Sequence, residues 1–325
     1  MRTGVPTWVV GAGGLLGGAV CREAAAAGLP TFTSLVPWGD PAGAAVALRR
    51  GASELLSRAD GGAWNLAWCA GAGVVGTSQE QLALETRSLA TTLDALDDGT
   101  GGDATPGGVF LASSAGGLHA GSRCPPYTEL SEPWPVSAYG QTKLSAEGLV
   151  RQFGEATGAG VLLGRISNLY GPGQRLDKAQ GLISQLCRAQ LCRRPLPVYV
   201  SLDTVRDYLF VNDAAQMTVA GLRLLRGRLG PPGAVVKILA AQQGTTIAAV
   251  IGEFRRVFKR PPLLVLTSSA TARLQAPDLR FRSVVWPELD RFASTPLPAG
   301  IAATAADVAA RLRATAVHPA PALTG

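Results

Sequence analysis

Short apolar runs alternate with longer stretches of helical periodicity over the first half of the chain. The predicted strands are Thr7 to Gly11, Thr31 to Val36, Asn65 to Ala70, Gly108 to Ser113 and Val161 to Ile166. The predicted helices are Leu15 to Ala27, Ala44 to Ala59, Ser78 to Leu96 and Ser137 to Thr157. Strand–helix alternation at this spacing predicts an α/β fold with a doubly wound, Rossmann-like parallel sheet. Such a sheet binds its ligand beyond the carboxyl ends of its strands.

The alternating pattern loosens after Tyr170, where Gly171, Pro172 and Gly173 interrupt the chain. Helical stretches and short strands then mix, which predicts a smaller C-terminal lobe that binds the substrate. We therefore predict a dinucleotide-binding domain over residues 1–170 with a return segment near 205–240. The substrate-binding lobe takes most of residues 171–313, and residues 314–325 form a flexible tail.

The composition is that of a globular protein, because 47% of the 325 residues are hydrophobic and only 16% are charged. The net charge of +7 suits either a nucleic-acid partner or a cleft that attracts a phosphorylated small molecule. The basic cluster from Arg255 to Arg260 has helical spacing beside Phe254 and Phe258. We interpret it as the exposed face of an amphipathic helix, and no nucleic-acid partner is expected.

The spacing of the cysteines indicates whether a metal site is present, and the N-terminal residues indicate where in the cell the protein is located. The five cysteines form no C-x-x-C pair, and Cys187, Cys192 and the two histidines complete no metal-site spacing, so no metal is expected. Residues 1–8 lack the basic start and apolar run of a signal peptide, and no apolar stretch has membrane-spanning length. We predict a cytoplasmic protein with no membrane partner. A homodimer is compatible with the sequence, which leaves the oligomeric state open.

A glycine-rich turn joins the first predicted strand to the first helix. Gly11, Gly14 and Gly17 fit the spacing G-x-x-G-x-x-G. The first glycine permits a tight turn, the second a close approach of the backbone to a pyrophosphate, and the third close helix–sheet packing. The amides that open the helix at Leu15 and Leu16 are then free to bind the anion. Chance spacing or plain close packing is the alternative in so glycine-rich a chain.

The end of the second predicted strand does not fix which dinucleotide binds. An acidic residue there binds the ribose 2′-hydroxyl of NAD. The chain has no acid at the tip, since Asp40 comes four residues after Val36. Trp38 suits adenine stacking or plain packing equally well, so the residues leave NAD and NADP open.

Tyr139 and Lys143 open a predicted helix at positions i and i+4, which lie one turn apart on the same face. A phenol is a weak base at neutral pH unless nearby positive charge favours its ionised form. An ammonium group and an oxidised nicotinamide both supply that charge, so a tyrosine in this place can exchange a proton with a substrate hydroxyl. Ser113 and Ser114, at the end of the fourth strand, offer a hydroxyl to hold the substrate oxygen. The pair alone fits a solvated lysine beside a half-buried tyrosine equally well.

These features, with two further blocks, resemble the NAD-dependent epimerase/dehydratase family of extended short-chain dehydrogenases, which act on nucleotide sugars. The further blocks are Arg165–Gly173, with Asn168 in its centre, and Val205–Asp213, which contains an R-D-Y segment. The resemblance runs from about Val9 to Ala215.

The resemblance implies roles for individual residues. Ser114 is expected to be the catalytic hydroxyl, Tyr139 the acid/base and Lys143 its electrostatic partner, which also holds the nicotinamide ribose. Ala70 and Gly71, after the third strand, resemble the family's small-residue contact with the cofactor. Asn168 and Arg206 are expected to bind the nucleotide-diphosphate part of the substrate. An internal ion pair with Asp207 or Asp213 is the alternative for Arg206. The resemblance slightly favours NAD as cofactor.

The chain departs from the family in two places. Leu118-His119-Ala120-Gly121 stands where many members have a V-Y-G trio, and Ser114-Ala115-Gly116 stands where the sugar dehydratases have Thr-Asp-Glu. The second departure argues against dehydration. The expected function is an NAD(P)-dependent nucleotide-sugar epimerase. The alternatives are a single-step keto-sugar reductase, or a non-catalytic dinucleotide-binding or RNA-binding protein on the same fold.

Overall fold

A computed structural model describes residues 4–74, 76–100, 106–177, 181–227, 233–267 and 276–317. The strands in these ranges are β1 Thr7–Val10, β2 Thr31–Thr33, β3 Trp64–Trp68, β4 Gly107–Ser114, β5 Gly160–Ile166, β6 Asn168–Tyr170, β7 Leu196–Val198, β8 Val205–Phe210, β9 Ala234–Leu239, β10 Gly244–Thr246, β11 Leu264–Leu266 and β12 Asp278–Leu279. The helices are α1 Leu15–Ala26, α2 Pro41–Ala59, α3 Gln79–Thr100, α4 Ala115–His119, α5 Ala138–Thr157, α6 Leu182–Cys192, α7 Val211–Gly227, α8 Ile247–Phe258 and α9 Leu297–Val317. A short 3-10 helix covers Pro287–Phe292.

A parallel sheet in the order β2-β1-β3-β4-β5-β9 forms the centre of the molecule. The chain leaves β1 toward one edge to form β2 and returns to form β3 on the other side of β1. The strand order therefore reverses between β1 and β3, which is where a doubly wound sheet opens a ligand crevice. The predicted fold class is confirmed.

Two apolar layers sandwich the sheet. One packs α2, α3 and α5 against alternate strand residues and is centred on Trp8, Trp64 and Leu111. The other packs α1 and α7 against the opposite face and includes Val9 and Phe110. Because neighbouring residues of a strand point to opposite faces, the fully buried strand Thr7–Val10 contributes side chains to both layers.

A second core lies in the C-terminal part of the chain. It gathers apolar side chains of α6, α8 and α9 around Tyr170, Tyr208 and Phe210. Strand β8 pairs with β6, β10 and β12 next to this core. The segment that follows β8 goes back to the large sheet, since α7 packs on α1 and β9 pairs with β5.

Most predicted elements agree with the structure to within a few residues. The basic cluster from Arg255 to Arg260 begins in α8, and its basic side chains are exposed while Phe254 is buried. Helix α9 continues to Val317, so the first residues of the predicted tail are helical, and residues 318–325 lie outside the described ranges. Among the helices described, none combines the length and apolar character that a bilayer crossing requires.

Candidate active site

The glycine turn lies between β1 and α1, as its spacing predicts. Gly11 has φ +87°, and a Cβ there would come within 2.6 Å of the backbone nitrogen of Ala70. A Cβ on Gly17 would lie 2.2 Å from the carbonyl oxygen of Gly11. Both positions therefore require glycine, one for the turn and one for the close packing of the helix on it.

The first turn of α1 suits a pyrophosphate. Gly14 begins the helix, is exposed, and within the described ranges no side chain caps the helix there. Gly13 has open space where a Cβ would stand. The amides of Leu15, Leu16 and Gly17 therefore form the first turn of a helix whose N-terminus is open and has no side-chain cap. Such a terminus binds anions through its N–H groups and its dipole. These residues fit the diphosphate of a dinucleotide.

Ser114, Tyr139 and Lys143 converge at the carboxyl end of the sheet. A Cβ on Gly117 would lie 3.0 Å from Cε1 of Tyr139 and 3.2 Å from Oγ of Ser114, so the phenol ring and the hydroxyl flank one point. The Nζ atom of Lys143 is 5.8 Å from the centre of the Tyr139 ring and donates to the carbonyl of Ala112 at 3.3 Å. All three functional side chains are only partly buried, so they remain accessible.

Helix α4, which sequence periodicity did not predict, brings these groups together. Its N-cap is Ser114, whose Oγ accepts a hydrogen bond from the amide of Gly117 at 3.1 Å. A Cβ on Gly140 would lie 2.3 Å from the carbonyl of Gly117, so α4 and α5 approach closely because both positions are glycine. Ser137 caps α5 by accepting from the amide of Gly140, which fixes where the helix begins and where Tyr139 stands.

A buried polar cluster lies directly behind these residues. Glu147, two turns after Tyr139 on α5, accepts from Nε and Nη2 of Arg165 at 3.0 and 2.8 Å. The Oγ of Ser113 donates to the same carboxylate at 2.7 Å. All three residues are nearly inaccessible to solvent. The cluster joins α5 to the ends of β4 and β5, and the i+8 spacing from Tyr139 to Glu147 was the one sequence signal that could have revealed it.

His119 is buried in the protein and does not face the cleft. Its ring stacks on Tyr127 with centroids 5.2 Å apart, and Nδ1 lies 3.2 Å from Oγ of Ser122. Burial, together with the positive charge of Arg165, lowers the pKa of His119 from 6.5 to about 4. His119 is therefore a neutral packing group.

The segment Ala70-Gly71-Ala72-Gly73 lies beside the lysine. Gly71 has φ +141°, and a Cβ there would be 3.1 Å from Nζ of Lys143. Glu85 of α3 holds this segment by accepting from the amides of Ala72 and Gly73 at 2.6 and 2.7 Å. Ala70 and Gly71 thus lie between the glycine turn and Lys143, where a dinucleotide that spans both would pass.

Arg206 lies on the side of its sheet that faces α4. In the pairing of β8 with β12 it stands opposite Leu279, and a Cβ on Gly116 would be 3.5 Å from the Leu279 side chain. Burial lowers the pKa of the Arg206 guanidinium, while Tyr208 and Asp278 act in the opposite direction. Asn168 is the first residue of β6. It lies two residues after Ile166, which pairs with Ser114. Arg206 is buried and Asn168 is partly buried.

The two aspartates considered as partners of Arg206 hold other groups. Asp207 accepts from Ser167, Ala241 and Gln243 at 2.8 to 2.9 Å. Burial raises the pKa of Asp207, and these hydrogen bonds oppose that effect. Asp213 accepts from the amide and hydroxyl of Thr295. Asp40 is likewise a structural residue, because it caps α2 by accepting from the amide of Ala42 at 3.1 Å.

Comparison with known sequences shows what the chain resembles. The model of the NAD dependent epimerase/dehydratase family matches residues 78–232. Over 142 residues, 40% of this chain, it is 30% identical to a dTDP-L-rhamnose 4-epimerase from Burkholderia thailandensis. Over 114 residues, 35% of this chain, it is 32% identical to a dTDP-4-dehydro-6-deoxyglucose reductase from Escherichia coli. The matched segments span 39% and 36% of these two relatives' own lengths.

Solved structures extend the likeness of fold to nearly the whole chain. A UDP-glucose 4-epimerase from Brucella ovis in complex with NAD superposes with a TM-score of 0.77 at 21% identity, over 94% of this chain and 98% of that one. A UDP-glucuronic acid 4-epimerase from Bacillus cereus, in complex with UDP-glucuronic acid and NAD, gives 0.75 at 18% identity, over 94% and 100%. At these identities the likeness establishes a common fold.

Proposed function

We propose that this chain, whose residues 78–232 match the NAD dependent epimerase/dehydratase family, is a nicotinamide-dependent enzyme that epimerises a nucleotide-activated sugar. The observation that carries this proposal is that the Tyr139 ring and the Ser114 hydroxyl both approach Gly117 while Nζ of Lys143 lies 5.8 Å from the centre of that ring, and all three side chains are partly exposed. A phenol, a hydroxyl and an ammonium group in this arrangement suit proton exchange with a substrate hydroxyl. The intact trio also argues against a non-catalytic dinucleotide-binding or RNA-binding protein.

The dinucleotide would be held along the carboxyl ends of β1 and β3. Gly11, Gly14, Gly17 and the first amides of α1, at Leu15 and Leu16, would bind the diphosphate. Ala70 and Gly71 would line the path to Lys143, whose ammonium group would hold the nicotinamide ribose. The bound nicotinamide would supply a hydride acceptor and donor at the substrate carbon.

Tyr139 and Ser114 would handle the proton at the reacting oxygen. The Tyr139 phenolate removes the hydroxyl proton of the substrate and returns it to the carbonyl oxygen in the reverse direction. The Ser114 hydroxyl donates to the same oxygen and holds it against the phenol. Lys143 stabilises the ionised phenol electrostatically, since a cation nearby favours the charged form.

Asn168 and Arg206 would fix the nucleotide-diphosphate part of the substrate. An arginine suits this role because its planar fork binds two phosphate oxygens together. The buried setting of Arg206 on the α4 side of β8 supports this assignment. Binding energy from this distant part would orient the sugar carbon against Tyr139.

A screen of nucleotide sugars tests the proposal. The protein is incubated with UDP-linked and dTDP-linked sugars and catalytic amounts of NAD, and in parallel with their keto derivatives and stoichiometric NADH or NADPH, and products are separated by chromatography and mass spectrometry. A product of unchanged mass with altered retention is the expected result. A product heavier by two hydrogens, formed only with stoichiometric reduced cofactor, would identify the reductase instead. Absence of any product would contradict both.

A further inference from the structure

Strands β7 and β11 form a separate two-stranded ribbon beside the second core. They run parallel, with Leu196 opposite Leu264 and Pro197 opposite Val265. Leu196 and Leu264 pack against the apolar cluster of the C-terminal part of the chain. Because successive residues of a strand point to opposite faces, Pro197 and Val265 point away from that core, and both are exposed. The outer face of the ribbon is therefore apolar.

Further apolar side chains around β11 are exposed to solvent. Leu263, directly before the strand, is 57% exposed, Val265 is 51% exposed, and Leu266, its last residue, is 63% exposed. Tyr199, directly after β7, is exposed as well. A single exposed apolar residue is ordinary on a protein surface, whereas several adjacent ones are typical of a surface that binds a partner.

Basic side chains lie at the end of the ribbon where both strands begin. Helix α6 ends shortly before β7 and has Arg193 as its C-cap, and α8 ends shortly before β11 and has Lys259 as its C-cap. Arg194 and Arg260 follow directly, and all four side chains are exposed. Because β7 and β11 are paired in parallel, the two basic pairs lie at the same end of the ribbon. A cation at a helix C-terminus complements the helix dipole, which explains one charge in each pair and leaves the second one unexplained.

Little acidic charge balances these basic residues. Residues 188–200 contain no aspartate or glutamate, and residues 253–267 contain only Glu253. Its carboxylate pairs with Arg256 at 3.2 Å. Among the residues that the structure describes, no carboxylate forms an ion pair with either basic pair. A surface of one sign repels a second copy of itself and attracts an anionic partner.

We propose that the protein docks on an anionic lipid bilayer through this ribbon surface, which consists of Arg193, Arg194, Lys259, Arg260, Leu263 and Val265. Basic side chains are attracted by anionic headgroups, and aliphatic side chains next to them enter the boundary between headgroups and acyl chains. Docking of this kind requires no membrane-spanning helix. The sequence alone predicted no membrane partner, because the ribbon surface combines two segments that are far apart in the chain.

The exposed apolar side chains favour a bilayer over other anionic partners. Proteins that bind single-stranded nucleic acid add aromatic stacking platforms to their basic charge, and the aliphatic Leu263 and Val265 cannot stack on bases. Strong protein–protein contacts are enriched in tryptophan and tyrosine, while leucine and valine are under-represented among them. A bilayer accepts aliphatic side chains without a shaped pocket. The ribbon packs on the second core, so this inference does not depend on the proposed enzymatic function.

Cosedimentation of the whole chain with lipid vesicles tests this inference. Vesicles of phosphatidylcholine with about 30% phosphatidylserine should bind the protein, and vesicles of phosphatidylcholine alone should not. Binding should weaken as the salt concentration rises, because exposed charges are screened. Arg194→Gln combined with Arg260→Gln keeps both helix caps and should weaken binding about 25-fold, since each basic residue near an anionic surface contributes about fivefold. The matched control is Arg49→Gln combined with Arg50→Gln, at exposed positions on α2, which removes the same charge and should bind like the wild-type protein.

A second pair of substitutions tests the apolar part of the surface. Leu263→Gln combined with Val265→Thr should also weaken vesicle binding, and the loss should persist at high salt because it is not electrostatic. Melting temperatures near the wild-type value should show that every variant is folded.

Several results would overturn the inference. These are no binding to anionic vesicles, equal losses in the ribbon variant and its control on α2, and unchanged binding when Leu263 and Val265 are replaced. Equal losses would mean that the net charge alone attracts the protein to the vesicles. Filter binding of single-stranded RNA that is tighter than vesicle binding, and is lost in the Arg194 and Arg260 variant, would identify a nucleic-acid site instead. A chain that binds the vesicles through this surface but converts no sugar would refute only the proposed function.

Discussion

Two clusters of polar side chains meet at the end of β4 and differ in how fully their groups are hydrogen bonded. Ser113, Glu147 and Arg165 form the inner cluster, in which the carboxylate accepts from both the hydroxyl and the guanidinium. Ser114, Tyr139 and Lys143 form the cleft cluster, which is partly exposed. Adjacent serines thus have opposite roles, because successive strand residues point to opposite faces.

One helix, α5, carries residues of both clusters. Tyr139, Lys143 and Glu147 follow each other at intervals of four residues, so they share a face of α5. The inner end of that face is fixed by a buried ion pair, while the cleft end keeps groups that can act on a ligand. The inner cluster therefore positions Tyr139 and Lys143.

The largest effect is expected for Tyr139→Phe. Removal of the phenolic oxygen should lower kcat by about 10²–10⁴-fold, because the proposed proton carrier is lost while the ring remains. The melting temperature and the dissociation constant for NAD should stay near the wild-type values. Steady-state kinetics and calorimetry check both parts. A variant that kept more than a tenth of the wild-type rate would rule out the assignment.

Glu147→Gln should act mainly on stability. It leaves Arg165 buried without its carboxylate, and loss of one partner of a buried ion pair costs about 3–5 kcal/mol. Urea denaturation should show this as a lower midpoint. Glu155→Gln, on an exposed part of α5, is the matched control and should be close to wild type. A stability equal to that of the control would mean that the inner cluster does not anchor the helix.

Arg206→Ala should weaken the binding of a nucleoside diphosphate by about 2–5 kcal/mol while NAD affinity is kept. Arg206→Lys should also be impaired, because lysine keeps the charge and loses the bidentate fork. Titration of UDP and dTDP into both variants measures this, with Arg256→Ala, at an exposed position on α8, as control. If the wild-type protein and all the variants bind UDP and dTDP with equal affinity, Arg206 does not bind the substrate.

His119 should make stability depend on pH. Its pKa in the folded protein is lowered to about 4, so the unfolded chain binds a proton more readily between that value and 6.5. Stability is then fully present above pH 6.5 and falls by about 2–3 kcal/mol as the pH is lowered toward 4. His119→Phe should flatten this part of the curve in urea titrations. If the free energy of unfolding of this variant depends on pH as steeply as that of the wild-type protein, the acid sensitivity is caused by other groups.

The sequence predicted the large sheet well because its strands are short apolar runs bounded by turns. The glycine turn and the spacing of Tyr139 and Lys143 can also be read from the sequence, since each is a local pattern. Helix α4 was missed because Ala115 to His119 is too short and too rich in glycine for periodicity to appear. The link between Glu147 and Arg165 joins residues that are distant in sequence, and the burial of His119 depends on Tyr127 and Phe281, which come from other segments.

The most direct experiment asks whether the protein transfers a hydride from a nucleotide sugar. NAD-loaded protein is mixed rapidly with UDP-linked and dTDP-linked sugars, and the absorbance of reduced nicotinamide is followed in the wild-type protein and in Tyr139→Phe. We predict a transient rise with at least one sugar in the wild-type protein and a greatly slowed rise in the variant. A protein that binds NAD and the sugars but forms no reduced nicotinamide and no product would contradict the proposed hydride transfer, and equal rates in both proteins would contradict the role of Tyr139.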